Sequence, residues 1–597
     1  MFLLGCLAFL QMVFIPGFIL LKALKLKTTS KVQAVVYIFA LSLTANYLAV
    51  FLLTTLNIYL PGVLYFLILA ELAFLVFYMI SSGFNFKIQI STGDYYRKLR
   101  EYIAGNSFSY NLFLMLALVT AAVYLYYFIS YLGSTFKGWD VVLGWNRFAL
   151  DWARNRLPIR TWHYPQLLPA NWSVSYVLMQ NTQVNVFAKA IMPLFSLFSI
   201  LLFLDLGARK KQGVYFVSAV IYGLLIRYFY LPANITSGYA DIPVAFFSFL
   251  AFYTLHQQEA HTVNKQNLLL SVLFASAAAV TKQAGIIVLL YILVWCIIRL
   301  IKNRKNAGVD FRRTIAAMLL IVLVVGGSWY IYKEIQIRLK LERSEINTVT
   351  KAAHKGRTYP ERLVNAFKLL YQYKKGLTGK SVLIIPILLL FALLHRRSRP
   401  VTAWLVIPYT LMWALLYSYD HRNLTVIFPF AAFSMSFGAL YLAENFLPGL
   451  EKLTPFKMDW RYIAAAIVVL AVLFNFTLLD SKSMEENQLK QELLEDQALE
   501  RLVYENYEVY RLKGKFLTSY LDFKNHPLLK FYARPHREHL TMKEYKKHLA
   551  NPAIRYMLLH TRRVDNDVRK DIEKNLKKGV YKRLFFYRNI WRFVRVK

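Results

Sequence analysis

Cysteine is nearly absent from this 597-residue chain: Cys6 and Cys296 are the only two. Both fall in apolar blocks, which excludes a disulfide framework and a cysteine-based metal cluster. Charge is scarce as well. Charged residues make up 18% of the chain, against about a quarter in a soluble globular protein. Acidic residues are scarcer still, 33 against 72 Lys and Arg, so the formal net charge is +39. On a soluble protein such an excess would point to nucleic acid, but no recognised binding motif accompanies it here. Lys and Arg fall mainly in interhelical loops and in the last stretch of about 115 residues. Anionic lipid headgroups and phosphates are therefore the expected partners, and nucleic acid is not. Internal repeats and low-complexity segments are lacking. Met1 to Leu21 has no basic region in front of it and no clear small-residue cleavage site, so it reads as a first span and not as a removed signal peptide.

What the chain has is apolar sequence. Hydrophobic residues are 57% of the total and mean hydropathy is +0.38. They come in blocks long enough to cross a bilayer, which takes roughly 20 residues per helix. Helices satisfy their own backbone hydrogen bonds in lipid, so the expected fold is an α-helical polytopic membrane protein. About fourteen transmembrane helices are expected by length and hydropathy. They lie near 2–21, 34–57, 61–80, 111–132, 186–205, 214–231, 241–256, 267–281, 284–301, 314–333, 381–395, 401–418, 424–444 and 461–479. The pair 267–301 reads either as a helical hairpin or as one long broken helix.

Basic loops set the expected orientation. Lys22–Lys31, Lys87–Arg100, Arg209–Lys211, Arg299–Arg313 and His395–Arg399 alternate with loops poor in Lys and Arg. With the basic loops in the cytoplasm, both termini lie outside, with the segments 133–185, 232–241, 334–379 and 419–423. From Ser481 onward the pattern changes to polar helix-like stretches, Glu485–Tyr510 and Thr541–Leu549, and strand-like runs, Lys515–Tyr520, Arg555–Leu559 and Arg583–Tyr587. That pattern predicts a small soluble α/β domain after the last span. The expected organisation is thus 1–110 for N-terminal helices and a cytoplasmic loop, 111–480 for a transmembrane module with its large outer loop 133–185, and 481–597 for the extracytoplasmic domain.

The first large outer loop carries the most chemistry. Asp140 follows a span exit beside Trp139. Val141–Arg154 then places Val142, Trp145, Phe148 and Trp152 at helical spacing, with Asn146, Arg147, Asp151 and Arg154 opposite. This predicts a helix lying on the membrane surface with its aromatics at the interface. A carboxylate at such a boundary can act as a general base, because partial desolvation raises its proton affinity. It can equally cap the following helix. Asp241, in Gly238-Tyr239-Ala240-Asp241, stands at the mouth of a span, where an ionisable group is a functional candidate or an N-cap. Lys282 lies between two apolar stretches and can bind a lipid phosphate or snorkel to the interface. Arg422, in Asp420-His421-Arg422-Asn423, suits bidentate phosphate recognition or a local ion pair with Asp420. Two carboxylates and two cations on one side of the membrane match what sugar transfer from a lipid phosphate needs: a base for the acceptor and charge to stabilise the departing phosphate.

At these residues the sequence resembles the GT-C superfamily of membrane glycosyltransferases. Within it, the chain is similar to the branch holding protein O-mannosyltransferases and the aminoarabinose transferases that modify lipid A. An outer-loop Asp soon after a span, followed by a helix, is matched by Asp140 and Val141–Arg154. A His-Pro-Pro-like element is matched in part by His163-Tyr164-Pro165-Gln166, a second outer acid by Asp241, and a Thr-Lys-Gly-like turn by Thr281-Lys282 with Gln283 replacing glycine. An Arg-Tyr…Pro-like element is matched loosely by Asp420-His421-Arg422 and Pro429. Asp140-Val141 stands where many relatives have Asp-Glu, and three spans precede the matching region. The resemblance implies a GT-C-like fold and a polyprenyl-phosphate sugar as donor. It implies an extracytoplasmic glycan, lipid or protein as acceptor, inversion at the sugar, and neither cofactor nor metal. It implies Asp140 as the catalytic base, Lys282 and Arg422 at the donor phosphate, and Asp241, Tyr239, His163, Tyr164, Asp151 and His421 around the substrates.

Two other readings stay open. A transporter or flippase of lipid-linked sugars predicts repeats and broken, charge-bearing helices at the bilayer midplane. A polymerase or ligase of O-antigen type predicts one dominant outer loop late in the chain, whereas the late loop 334–379 here is strongly basic. Asn171-Trp-Ser, Asn234-Ile-Thr and Asn423-Leu-Thr match the N-glycosylation pattern and keep a lumenal setting open. Compact loops and short termini favour a bacterial plasma membrane.

Overall fold

The computed structural model describes residues 1–81, 101, 105–134, 136, 140–159, 161, 164–182, 184–230, 235–257, 264–302, 311–339, 357–372, 384–418, 420–445, 515–518, 540–552, 554–560, 564–587 and 591–595. The chain divides into two compact units, Met1–Phe136 with Phe148–Leu473, and Lys137–Arg147 with Phe474–Lys597.

The first unit is built from helices. Eight of them are long and apolar enough to cross a membrane: Phe2–Ala23, Lys31–Thr55, Pro61–Ser81, Phe108–Ser130, Val186–Lys210, Gly285–Lys302, Arg399–Tyr417 and His421–Asn445. A ninth arises if Phe311–Gly326 and Ser328–Arg338, bent by 57° at their break, form one span. The chain is an integral membrane protein on these segments. Four of the expected spans are shorter apolar helices, Val214–Arg227, Asp241–His256, Lys265–Thr281 and Ile384–Leu394. The fourteenth, 461–479, and the polar stretch Glu485–Tyr510 lie outside the described residues.

Local chemistry sets the helix ends. Ser30, Ser107 and Asn264 each accept a backbone N–H from the first turn that follows them, which satisfies one orphan donor apiece. The first span breaks at Phe14, whose φ of −138° leaves the helix just ahead of Pro16. The ambiguous pair 267–301 resolves as a hairpin of Lys265–Thr281 and Gly285–Lys302. Gly285 makes the tight return possible, since a Cβ there would overlap the Ala278 carbonyl. Close backbone approach at small residues is the usual way membrane helices gain packing.

Leu167–Met179 is buried along its whole length, and Asp241–His256 nearly so. These two helices are apolar on every side because protein, not lipid, surrounds them. Phe246 of the second helix interlocks with Phe39 and Phe195, ring centroids 5.1 to 5.7 Å apart. Pro61–Ser81 and Phe108–Ser130 instead leave many large side chains exposed, among them Phe66, Phe77, Met115 and Leu125. At one end of the bundle Arg209 bonds Asp205, Thr29, Gln257 and Tyr253, tying two helices to the segment ahead of Lys31–Thr55.

Between Phe136 and Leu167 the structure corrects one expectation. Asn146–Ala153 is helical, preceded by a wide π turn at Val141–Trp145, but its aromatics are not spread on a membrane interface. Trp152 is fully buried. Its ring lies tilted against Phe51 and Trp329 with centroids 6.0 and 6.2 Å away, and its indole donates to Gln166 at 3.1 Å. The same amphipathic spacing suits either a lipid interface or a protein core. Asn171 is also buried within its helix, donating to Leu43 and Leu167 carbonyls, so it is not placed as a surface glycosylation site.

The second unit carries a four-stranded sheet in the order β1-β2-β4-β3. The strands are β1 (Lys515–Thr518), β2 (Ile554–His560), β3 (Lys582–Tyr587) and β4 (Trp591–Arg595). β1 and β2 run parallel, while β4 pairs antiparallel with both β2 and β3. A parallel pair needs a crossover, and Met542–Leu549 lies on it, opened by a capping box of Thr541 and Glu544. Tyr545, Val568 and Ile572, from that helix and from Asn566–Lys577, pack over Ile554, Met557, Leu559 and Val594.

Candidate functional site

Three elements bring charged side chains together in the first unit. The first is the hairpin tip. Lys282 follows the last turn of Lys265–Thr281 in extended conformation, φ −154° and ψ 146°. The second is the start of Asp241–His256, where Ala240, not Asp241, occupies the N-cap and makes no side-chain cap. Asp241 is 3% exposed. The third is a 3₁₀ segment, His421–Ile427, capped by Asp420, whose carboxylate accepts the Arg422 backbone N–H at 2.9 Å.

Their side chains interlock. Lys282 Nζ bonds the Asp241 carboxylate and also donates to Asn423 Oδ1 at 2.9 Å. Arg422 grips Asp420 through Nε at 2.8 Å and Nη2 at 2.6 Å. The Arg422 guanidinium lies 4.3 Å from the centre of the Tyr239 ring, within cation–π range. His421 Nδ1 stands 3.7 Å from Asp420 and its residue bonds the backbone of Phe229. Tyr409 holds the Asn423 carbonyl at 2.8 Å and Trp413 the Asp420 carbonyl at 3.0 Å. The loop is thus braced from the neighbouring span.

Formal charges balance here: two carboxylates face two cations. Burial acts to raise the Asp420 carboxyl, but the Arg422 hydrogen bond and charge, its backbone N–H and the Lys282 charge outweigh burial and hold Asp420 below the usual carboxylate range. An ammonium has three donors; Lys282 commits one to Asp241 and one to Asn423. The third is available to an oxygen of an incoming ligand. A balanced cluster of this kind can bind sugar hydroxyls by paired donors and acceptors. It can also receive a phosphate if a carboxylate gives way.

Asp241, Lys282, Arg422, Tyr239 and His421 therefore converge, and snorkelling does not describe Lys282, whose side chain is 15% exposed. The local Asp420–Arg422 pair weighed against phosphate binding is present. Asp140 is half-buried at the start of its π turn and makes no capping hydrogen bond. It belongs to the second unit. Asp151 lies on Asn146–Ala153, and Tyr164 precedes the Leu167–Met179 helix with its carbonyl bonded by Gln166 at 2.7 Å. His163 lies outside the described residues. Tyr409 and Trp413 had no role in the sequence reading, and Asn423 entered it only as part of a glycosylation triplet. Asn423 sits inside a segment already singled out, but a neutral amide carries no charge signal. Among the described residues, no three His, Cys, Asp or Glu side chains group closely enough to hold a metal ion.

No family model and no curated protein matches the chain. Among solved structures it is similar to the crystal structure of ArnT from Cupriavidus metallidurans bound to undecaprenyl phosphate, with 12% identity and a TM-score of 0.46 over 80% of this chain and 98% of that one. Likeness at this level leaves fold family and chemistry to be argued from the chain's own residues.

Proposed function

We propose that this membrane protein is a glycosyltransferase of GT-C type that moves a sugar from a polyprenyl-phosphate donor to an extracytoplasmic glycan, lipid or protein. The observation that carries this reading is the braced cluster of Asp241, Lys282, Asn423, Asp420 and Arg422 at the ends of three apolar elements. Ionisable groups at span ends are expensive and are kept where they handle a polar substrate.

In this reading the acceptor hydroxyl loses its proton to Asp140, a role assigned on its sequence context. The resulting oxygen attacks the anomeric carbon from the face opposite the phosphate. The bond between that carbon and the phosphate oxygen breaks, and the electron pair leaves with the polyprenyl phosphate. Lys282 and Arg422 stabilise the charge that develops there. One displacement gives inversion. Tyr239, Asp241 and His421 orient the sugar, with His163, Tyr164 and Asp151 as further substrate contacts. The loop alternation puts the cluster on the extracytoplasmic side, and a bacterial plasma membrane is the proposed location.

One feature favours transport of lipid-linked sugars instead. The bent pair Phe311–Gly326 and Ser328–Arg338 carries a buried lysine, Lys333, beyond its break. The two readings part in one assay. Purified, reconstituted protein is offered polyprenyl-phosphate sugars with a membrane extract as acceptor source, and products are read by mass spectrometry. Donor consumption that Asp140→Asn and Lys282→Met abolish supports transfer. Movement of intact donor across the bilayer without consumption supports transport.

A further inference from the structure

Arg227 is a buried cation that the cluster above does not use. It sits three residues from the C-terminal end of the Val214–Tyr230 helix, in the run Tyr222-Gly-Leu-Leu-Ile-Arg227-Tyr-Phe. Its residue exposure is 8%. Nη1 donates to the Tyr127 hydroxyl at 2.8 Å. Nη2 is buried with no hydrogen-bond partner. No carboxylate pairs with it among the described residues. This sets it apart from Lys282 and Arg422, each of which is held by an aspartate.

A guanidinium is always charged and presents five N–H donors in a planar fork. Leaving one arm of that fork buried and unmet is costly, and cheaper side chains could serve if the task were only to anchor Tyr127. The fork geometry matches the oxygens of a phosphate. Its position says which kind. Tyr127 stands on Phe108–Ser130, a helix whose neighbouring Tyr126 and Ile129 are 57% and 59% exposed on a membrane-spanning surface. Its hydrogen bond to Tyr127 thus joins Arg227 to a helix that carries exposed side chains. Two residues further along, Phe229 bonds His421 through its backbone and meets Phe428 at 6.0 Å. Arg227 therefore lies at the same end of the bundle as the cluster.

We propose that Arg227, oriented by Tyr127, binds the phosphate of a membrane lipid phosphate. It is a binding residue that the sequence motifs did not include. The identity of the ligand as the transferase donor rests on the proposed function; the anion site does not.

The test is direct binding to the full-length protein in detergent, with farnesyl phosphate as probe and with farnesol and inorganic phosphate as comparison ligands. Wild type is expected to bind farnesyl phosphate and not farnesol. Arg227→Gln is expected to weaken that binding by about tenfold or more, with Arg227→Lys in between because it keeps the charge and loses the fork. Inorganic phosphate bound with the same Arg227 dependence keeps the anion site and makes a free phosphate its source. Equal binding of farnesyl phosphate by wild type and Arg227→Gln overturns the proposal, as does equal binding of farnesol. If Arg227→Gln does not fold, Arg227→Lys decides: weaker binding supports the site and unchanged binding removes it. Farnesyl phosphate bound through Arg227 by a protein that consumes no donor sugar would sink the transferase reading alone. Donor turnover with Arg227-independent binding would sink this inference alone.

Discussion

Lys282 and Asp241 form an ion pair across 41 positions of sequence, one at a hairpin tip and the other in the first turn of a neighbouring helix. Asp241 is almost fully buried and Lys282 mostly so. Removing one partner leaves the other uncompensated. Asp241→Asn or Lys282→Met is therefore expected to lower stability by about 3 kcal/mol, with the double variant recovering part of the loss. A double-mutant cycle read by thermal unfolding in detergent checks this. Strict additivity of the two single effects would show that the pair is not coupled.

Gly285 sets where Lys282 sits. A methyl group at 285 would run into the Ala278 carbonyl, which is backbone and cannot swing aside. Gly285→Ala is expected to cost about 1–3 kcal/mol by forcing the hairpin apart. It should also weaken donor binding, because the tip three residues earlier shifts with it. An unfolding midpoint equal to wild type would mean that the two helices open at no cost.

The acid limb of stability should report Asp420. Its carboxyl is held below the usual range in the folded protein. A lowered folded value means that the stabilisation is present above the unfolded value and is lost as pH falls through the folded one. Wild type should lose stability below about pH 4, and Asp420→Asn should show a shallower loss over that window. Melting temperature against pH for the two proteins decides it. Parallel curves would remove Asp420 from the account.

Trp152 holds the Asn146–Ala153 helix by burial and by its hydrogen bond to Gln166. Trp152→Ala should cost about 3–5 kcal/mol, whereas Gln166→Ala should cost only about 1–3 kcal/mol for the orphaned indole N–H. Had the ring lain in the lipid interface, Trp152→Ala would weaken membrane anchoring with little change in unfolding. Thermal unfolding of both variants separates the two cases.

The helices were legible because lipid imposes a length and an apolar composition that few other constraints mimic. Most described helices fall where the apolar blocks lie, and the short ones at 214, 241, 265 and 384 were still visible as blocks. The partnership of Asp241 with Lys282 was not legible, since a charge near a span end reads the same whether it caps a helix, snorkels or meets a distant partner. Asp420 and Arg422 stand two residues apart, so their pairing could be foreseen from the chain alone. Trp152 misled because periodicity gives the face of a helix and not what covers it. Arg227 was legible in principle: a lone arginine in an apolar run is itself a signal.

The most direct test of the central claim is consumption of a polyprenyl-phosphate sugar by the purified, reconstituted protein, compared with Lys282→Met and Asp140→Asn. The account predicts a product carrying the sugar in inverted configuration for wild type, and loss of donor consumption in both variants while each keeps a cooperative melting transition. Donor consumption at the wild-type rate in both variants would contradict it.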